Sequence, residues 1–165
     1  MKAVVQRVKT ASVTVNGKVT GRIARGLLVY LGVAAGDTAK DAGWISDKIA
    51  NLRIFEDAEG KMNCSIKEVI AALNSEEASS GAHDGESIGI LAVSQFTLLA
   101  DAYKGRRPYY GAAAEPREAE TLYSYFMQKI REQGLVCEAG VFRTSMEVAC
   151  VNDGPVTILL DTRDL

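Results

Sequence analysis

The chain opens with apolar runs whose spacing predicts strands. Residues 2–8 are rich in valine, and residues 12–15 (Ser-Val-Thr-Val) alternate before Asn16-Gly17 and residues 18–20. Asn-Gly between alternating segments predicts a two-residue hairpin, because both turn positions need positive φ. Residues 26–33, GLLVYLGV, are continuously apolar and predict a strand buried on both faces. Asp37 and Thr38 can cap a helix in which Ala42, Ile45, Ile49 and Leu52 recur at spacings of three and four, with Trp44 beside the stripe. The pattern then allows a return to strand over 52–55, with a turn over 57–60. Residues 74–87, NSEEASSGAHDGES, are small or polar apart from two alanines and have no period, which predicts an exposed loop. Residues 88–93 predict another buried strand. Glu115-Pro116 opens a second helix, with Leu122, Tyr125, Phe126 and Ile130 as its buried stripe and Gly134 at its end. Strands over 135–138, 146–151 and 156–160 close the chain. The sum is an α/β protein of the α+β type: a compact β-barrel-like sheet with two main helices, one domain over 1–165, and no internal repeat or low-complexity tract.

Composition narrows the class. The 165 residues are 47% apolar and 24% charged, an ordinary globular profile. A net charge of −2 does not advertise a nucleic-acid binder, so any contact with a polyanion has to be local. No apolar run approaches the ~18 residues that cross a bilayer, and no signal peptide precedes the first strand pattern. Cys64, Cys137 and Cys150 are odd in number and widely spaced. That suits buried free thiols in a reducing compartment, not a disulfide frame or a CxxC metal site, and a cytoplasmic protein is expected.

Elimination locates the chemistry. The only histidine, His83, falls in the polar stretch 74–87. A Ser-His-Asp or Cys-His arrangement would need it as base, and a glycine-flanked loop is a poor platform for one. One histidine and three scattered cysteines do not make a zinc site. There is no P-loop and no GxGxxG before a helix, so no metal or cofactor is expected. Ser94-Gln95-Phe96-Thr97-Leu98 follows the 88–93 strand. It reads either as a half-exposed strand end or as hydrogen-bonding side chains placed where a buried strand emerges. Asn152-Asp153-Gly154-Pro155-Val156-Thr157 interrupts two apolar runs. Proline cannot donate to a ladder and glycine tolerates unusual dihedrals, so the segment is a tight turn or a rigid presentation of backbone carbonyls. Lys104-Gly105-Arg106-Arg107-Pro108, followed by Tyr109 and Tyr110, is a solvated basic loop or a phosphate contact beside a stacking platform.

Taken together, SQFTL and NDGPVT resemble the two signature motifs of the D-aminoacyl-tRNA deacylases. AVVQRV, GLLVYLGV, NLRIFEDAEGKMN and LLADAYKGRRP resemble that family in the same order, over nearly the whole chain. The resemblance implies a homodimer that hydrolyses the ester between a D-amino acid and the 3′-terminal adenosine of tRNA. The partner would then be the 3′ CCA end of a D-aminoacyl-tRNA, with no membrane and no metal. It implies a cis bond before Pro155, and Gly154-Pro155 reaching into the partner subunit's pocket. There the carbonyls would take the α-amino group of a D-amino acid and collide with the side chain of an L-amino acid; glycine would escape this filter. Ser94, Gln95, Phe96 and Thr97 would surround the scissile ester, with Thr97 the nucleophile if a side chain acts. No base is at hand to activate it, so the adenosine 2′-OH is the alternative assistant. Arg7 would brace the Gly-Pro loop, Phe142 and Met146 would line the adenosine end, and Lys104, Arg106 and Arg107 would give weak phosphate contacts. The chain departs from the family at Arg143-Thr144-Ser145, where a small Gly-Ala pair is usual, and in a longer 74–87 stretch. The rival readings are a non-catalytic nucleic-acid-binding dimer and a general esterase.

Overall fold

The computed structural model describes residues 1–80, 87–103 and 105–164, with the side chains of 76–80 left aside. β1 (Lys2–Val15) joins the two N-terminal strand patterns into one element. The exposed Lys9-Thr10 pair between them is absorbed as a register shift in the ladder, not as a turn. Asn16 and Gly17 both take positive φ (50° and 74°), as the hairpin to β2 (Lys18–Ile23) demands. β3 (Gly26–Gly32) continues along the same edge of β1, pairing with its first half. β8 (Glu147–Asp161) covers the opposite edge of β1. β6 (Gly89–Ser94) runs parallel to β3, and β7 (Val136–Ala139) parallel to β6. The sheet therefore runs β2-β1-β3-β6-β7, with β8 on β1.

Both faces of β3 are buried, which explains its continuous apolar run. Leu27, Val29 and Leu31 face a core shared with α1 (Ala39–Ala50) and α3 (Pro116–Glu132), through Ile45, Ile49, Phe126 and Ile130. Leu28 faces the other way, into a barrel interior with Val8, Val13, Ile23, Leu91 and Val93. The barrel nearly closes: a Cβ on Gly21 of β2 would stand 2.5 Å from the Ala139 carbonyl of β7. Among the described residues, no helix is long and apolar enough to cross a membrane.

Helix boundaries follow local chemistry. Asp41 Oδ2 accepts from the Thr38 N–H (2.8 Å) and the Thr38 hydroxyl (2.7 Å), which closes a capping box on α1 and lowers the Asp41 pKa. Leu52, assigned from its spacing to this stripe, lies beyond the end of α1 and packs on the core from the connecting segment. The α3 stripe is fully buried at Tyr123, Phe126 and Ile130, with Leu122 and Tyr125 at its margins. Gly134 follows at φ 79°, an αL position that ends the helix.

Three expectations are corrected. A third helix, α2 (Ile66–Ser80), occupies the first half of the stretch expected to be a loop. The signal for it is Ser65 with Glu68 three residues on: Glu68 Oε2 accepts from the Ser65 N–H at 2.6 Å and its hydroxyl at 2.8 Å, and Ile66 and Val69 then bury a stripe. Residues 81–86, which include His83, lie outside the described residues. The strand expected over 52–55 is only β4 (Phe55–Glu56), hairpinned to β5 (Met62–Cys64). The strands expected over 146–151 and 156–160 are one strand, β8, because the break between them is a bulge in a continuous ladder. Gln6 pairs with Thr157 and Val8 with Asn152, so Arg7 alone stands opposite residues 153–156. Of the cysteines, Cys137 is buried and its thiol is pushed up to about 11 by that burial, whereas Cys150 is exposed on β8.

Candidate active site

The ends of β3 and β6 open a cavity of about 470 Å³. Leu31, Val33 and Val93 form its base. Its first wall is the turn that leaves β6. Gln95 N–H donates to Leu31 O (2.8 Å), and the chain then tightens into a 3₁₀ turn over Phe96–Leu99. The ladder of that turn starts with Leu98 N–H on Gln95 O (3.3 Å), so the N–H groups of Phe96 and Thr97 have no acceptor within it. The Gln95 side-chain amide donates to the Thr97 hydroxyl, which holds the two side chains together. Gly32 makes the close approach of this turn to β3 possible: a Cβ there would stand 2.5 Å from Leu99 Cδ2 and 2.9 Å from the Gln95 carbonyl.

The second wall is the run into α3. Ala114 N–H donates to Val33 O (2.9 Å), which places Ala113 and Ala114 beside the cavity, with Pro116, Ala119 and Tyr123 following on the helix. The Tyr123 hydroxyl donates to Ala92 O at 2.9 Å, and burial raises its pKa, so it is a neutral structural phenol. The third wall is the connection from β7 to β8, with Phe142, Arg143, Thr144, Met146 and Val148. Phe142 leans on Tyr123 with ring centroids 6.0 Å apart, and a Cβ on Gly140 would meet Met146 Sδ at 2.4 Å. At the rim, Phe96 is 58% exposed and meets Tyr110 edge to face, centroids 5.2 Å apart. Among the described residues, no group of three His, Cys, Asp or Glu gathers as metal ligands.

The sequence-derived site residues fall into separate groups. Ser94, Gln95, Phe96, Phe142 and Met146 converge on the cavity. Thr97 touches Gln95 but does not line it. Arg7, Gly154 and Pro155 form a second locus on β1 and β8, and none of them lines the cavity of its own chain. There the buried Arg7 donates to Ile54 O at 2.5 Å, sits 3.2 Å from Asp153 Oδ2, and lies behind the bulge. Asn152 Nδ2 ties the base of the bulge to Arg7 O (2.8 Å) and Val156 O (3.2 Å). Gly154 has φ 118°, the Gly154–Pro155 peptide is cis, and both residues are exposed. Arg106 and Arg107 are exposed and off the cavity; Lys104 lies outside the described residues. Sequence reasoning overlooked Gly32 and Tyr123. Gly32 hides inside an apolar run, and Tyr123 sits one position off the stripe assigned from spacing.

A solved structure described as "Structural Analysis of a probable eukaryotic D-amino acid tRNA deacylase" superposes with a TM-score of 0.72 at 18% identity, covering 96% of this chain and 97% of that one. That likeness defines the fold class. A second, "c-Myc DNA Unwinding Element Binding Protein", superposes with a TM-score of 0.82 at 38% identity, covering 98% and 99%. The family model described as D-Tyr-tRNA(Tyr) deacylase matches residues 4–161. The D-aminoacyl-tRNA deacylase of Anaeromyxobacter dehalogenans (strain 2CP-C) is 53% identical over 100% of this chain and 99% of its own. That of Geobacter sp. (strain M21) is 51% identical over 98% and 97%. The chain belongs to the D-Tyr-tRNA(Tyr) deacylase family, and its enzyme class is that of a hydrolase, D-aminoacyl-tRNA deacylase.

Gly32→Ala tests how tightly the SQFTL turn depends on β3. The added methyl has to push back Leu99 and the Gln95 carbonyl, so a loss of about 1–3 kcal/mol of stability is expected together with a lower kcat. Urea unfolding and single-turnover deacylation measure the two; an unchanged kcat would show that the turn geometry is not needed.

Proposed function

We propose that this chain hydrolyses the ester of D-aminoacyl-tRNA in a dimer, each pocket completed by the Gly154-Pro155 bulge of the other copy. One observation carries the reading. The pocket holds hydroxyl, amide and backbone groups, while the conspicuous NDGPVT bulge of the same chain is exposed and lines no part of it. Two such copies supply each other with what each lacks. The free edge of β8 and the exposed Leu159 (78%) and Val151 (53%) offer the surface for that pairing. Leu159→Glu is expected to halve the mass seen by light scattering and to abolish deacylation. A fully active monomer would remove the trans arrangement.

Selectivity then comes from backbone atoms. Two carbonyls of the bulge accept from the α-amino group of a D-amino acid, and an L side chain collides with them. Any D side chain points outward, so its identity matters little. D-tyrosyl-tRNA and glycyl-tRNA are therefore expected to be deacylated, and L-tyrosyl-tRNA to survive. Loss of the L-ester at the rate of the D-ester would overturn the filter. An intact D-ester would instead favour a nucleic-acid-binding dimer, the reading that the DNA-binding description of the relative at 38% identity supports. Cleavage of p-nitrophenyl esters without tRNA would favour a general esterase.

The chemical step is one of orientation. In this reading the N–H groups that open the 3₁₀ turn, on Phe96 and Thr97, meet the developing oxyanion, since the turn itself gives them no acceptor; losing such a donor costs about 3 kcal/mol in the barrier. Thr97 receives a hydrogen bond from Gln95, and no base stands beside it among the residues lining the pocket. The substrate's own 2′-OH is the assistant that positions or activates water. Thr97→Ala is expected to keep most of the activity in single-turnover assays, and a terminal 2′-deoxyadenosine to abolish it. The opposite pair of results would restore a threonine nucleophile.

A further inference from the structure

Among the described residues that bound the pocket, Arg143 alone carries a charge. The rest are aliphatic, aromatic, hydroxyl or amide, and among the described residues no carboxylate lines the cavity to neutralise it. Among the described residues Arg143 has neither an ion-pair nor a hydrogen-bond partner for its side chain. Its backbone has φ 60°, in the left-handed region. The only other described non-glycine residue there is Asn16, whose hairpin turn requires it. The Thr144 hydroxyl donates to Val141 O at 2.9 Å and ties this turn down. A side chain with a Cβ, held in an unfavourable conformation, thus presents a lone cation at the edge of an uncharged cavity. Strain of this kind persists where the surroundings enforce it, and it concentrates at functional sites.

We propose that Arg143 is a phosphate subsite, holding the 5′-phosphate of the terminal nucleotide while the nucleoside and its aminoacyl ester fill the pocket. The proposal rests on the deacylase reading above. A cavity of about 470 Å³ with Phe142, Met146 and Tyr123 in its walls suits a nucleoside body. A nucleotide's negative charge lies on its phosphate, which leaves the ribose on the side away from the 3′ ester. With the ester at Ser94–Phe96, the phosphate emerges elsewhere on the rim, and among the described residues Arg143 is the one lining cation that can meet it. A guanidinium fork matches phosphate oxygens in pairs, so arginine does this better than lysine. Arg106 and Arg107 lie off the cavity and cannot serve this phosphate in its place.

Calorimetric binding of 3′-deoxy-3′-(D-tyrosylamino)adenosine, a non-hydrolysable amide, with either a 5′-hydroxyl or a 5′-phosphate tests the subsite. The full-length wild-type protein is expected to prefer the phosphorylated compound about tenfold, less so as salt is raised. Arg143→Gln should lose that preference and keep its affinity for the 5′-hydroxyl compound, and Arg143→Lys should retain part of it. Should the glutamine variant fail to fold, Arg143→Gly, suited to φ 60°, carries the same expectation. With D-tyrosyl-tRNA the glutamine variant should raise KM and leave kcat near wild type. Equal affinities in the wild type, or a preference that survives in the variants, would overturn the subsite and leave the deacylase reading intact. Binding of neither compound would overturn that reading, and the subsite with it.

Discussion

Hydrogen bonding along both edges of β1 is the constraint on which the other features depend. Over residues 2–6 the strand pairs with β3 on one side and β8 on the other, and over 11–14 with β2 and β8. A strand held on both sides cannot slip, because a shift of one residue would send every side chain to the wrong face. The register puts Arg7 opposite a gap that four residues of β8 have to fill. Those four are Asp153, Gly154, Pro155 and Val156. Proline costs nothing in ladder bonds there, since a bulged residue makes none. Arg7 occupies the space behind them, and Asn152 staples their two ends.

The same register sets the pocket. β3 carries β6 in parallel, so both strands end at the same level, and the turn after Ser94 lands over Gly32. The absence of a side chain at Gly32 is what lets the Gln95 carbonyl come so near. Tyr123 and Phe142 then close the cavity from a helix and a loop that share no sequence proximity with the turn. In the proposed reading the catalytic groups are backbone amides, and a rigid turn is what aims an N–H. A buried, neutral Tyr123 contributes shape and one hydrogen bond to the Ala92 carbonyl. Its role is to keep the wall in place.

Charge is used sparingly. The protein carries a net charge of −2, yet its family acts on a polyanion. On the reading proposed above, a pocket lined by uncharged groups and one arginine reconciles the two, the contact being confined to the end of a long ligand. Arg7, the other cation central to the architecture, is buried against Asp153 and the Ile54 carbonyl. It is committed to structure: one hydrogen bond and the Asp153 carboxylate hold the buried guanidinium in place.

Local pattern was enough for much of this. Periodicity marked the buried strand at β3, the hairpin at Asn16-Gly17, and the helices that begin after Thr38 and at Pro116. Scarcity of histidine and the pairing of SQFTL with NDGPVT pointed to the chemistry, and the family likeness bears out the enzyme class. Pattern failed where two signals competed. A polar composition over 74–80 reads as a loop, and that reading misses the Ser65–Glu68 capping box, although a solvated helix tolerates polar residues once its start is fixed. A Gly-Pro break looked like the end of a strand, because a one-dimensional pattern cannot show that a neighbouring strand continues past it. Only the tertiary structure decided that β8 is continuous, that Gly154-Pro155 stands away from the pocket of its own chain, and that Arg143 borders that pocket alone among the described charged residues. Each is a relation between segments far apart in sequence. The sequence by itself determined which residues bury themselves and which are candidates for the chemistry; long-range pairing in the folded sheet decided which of them meet.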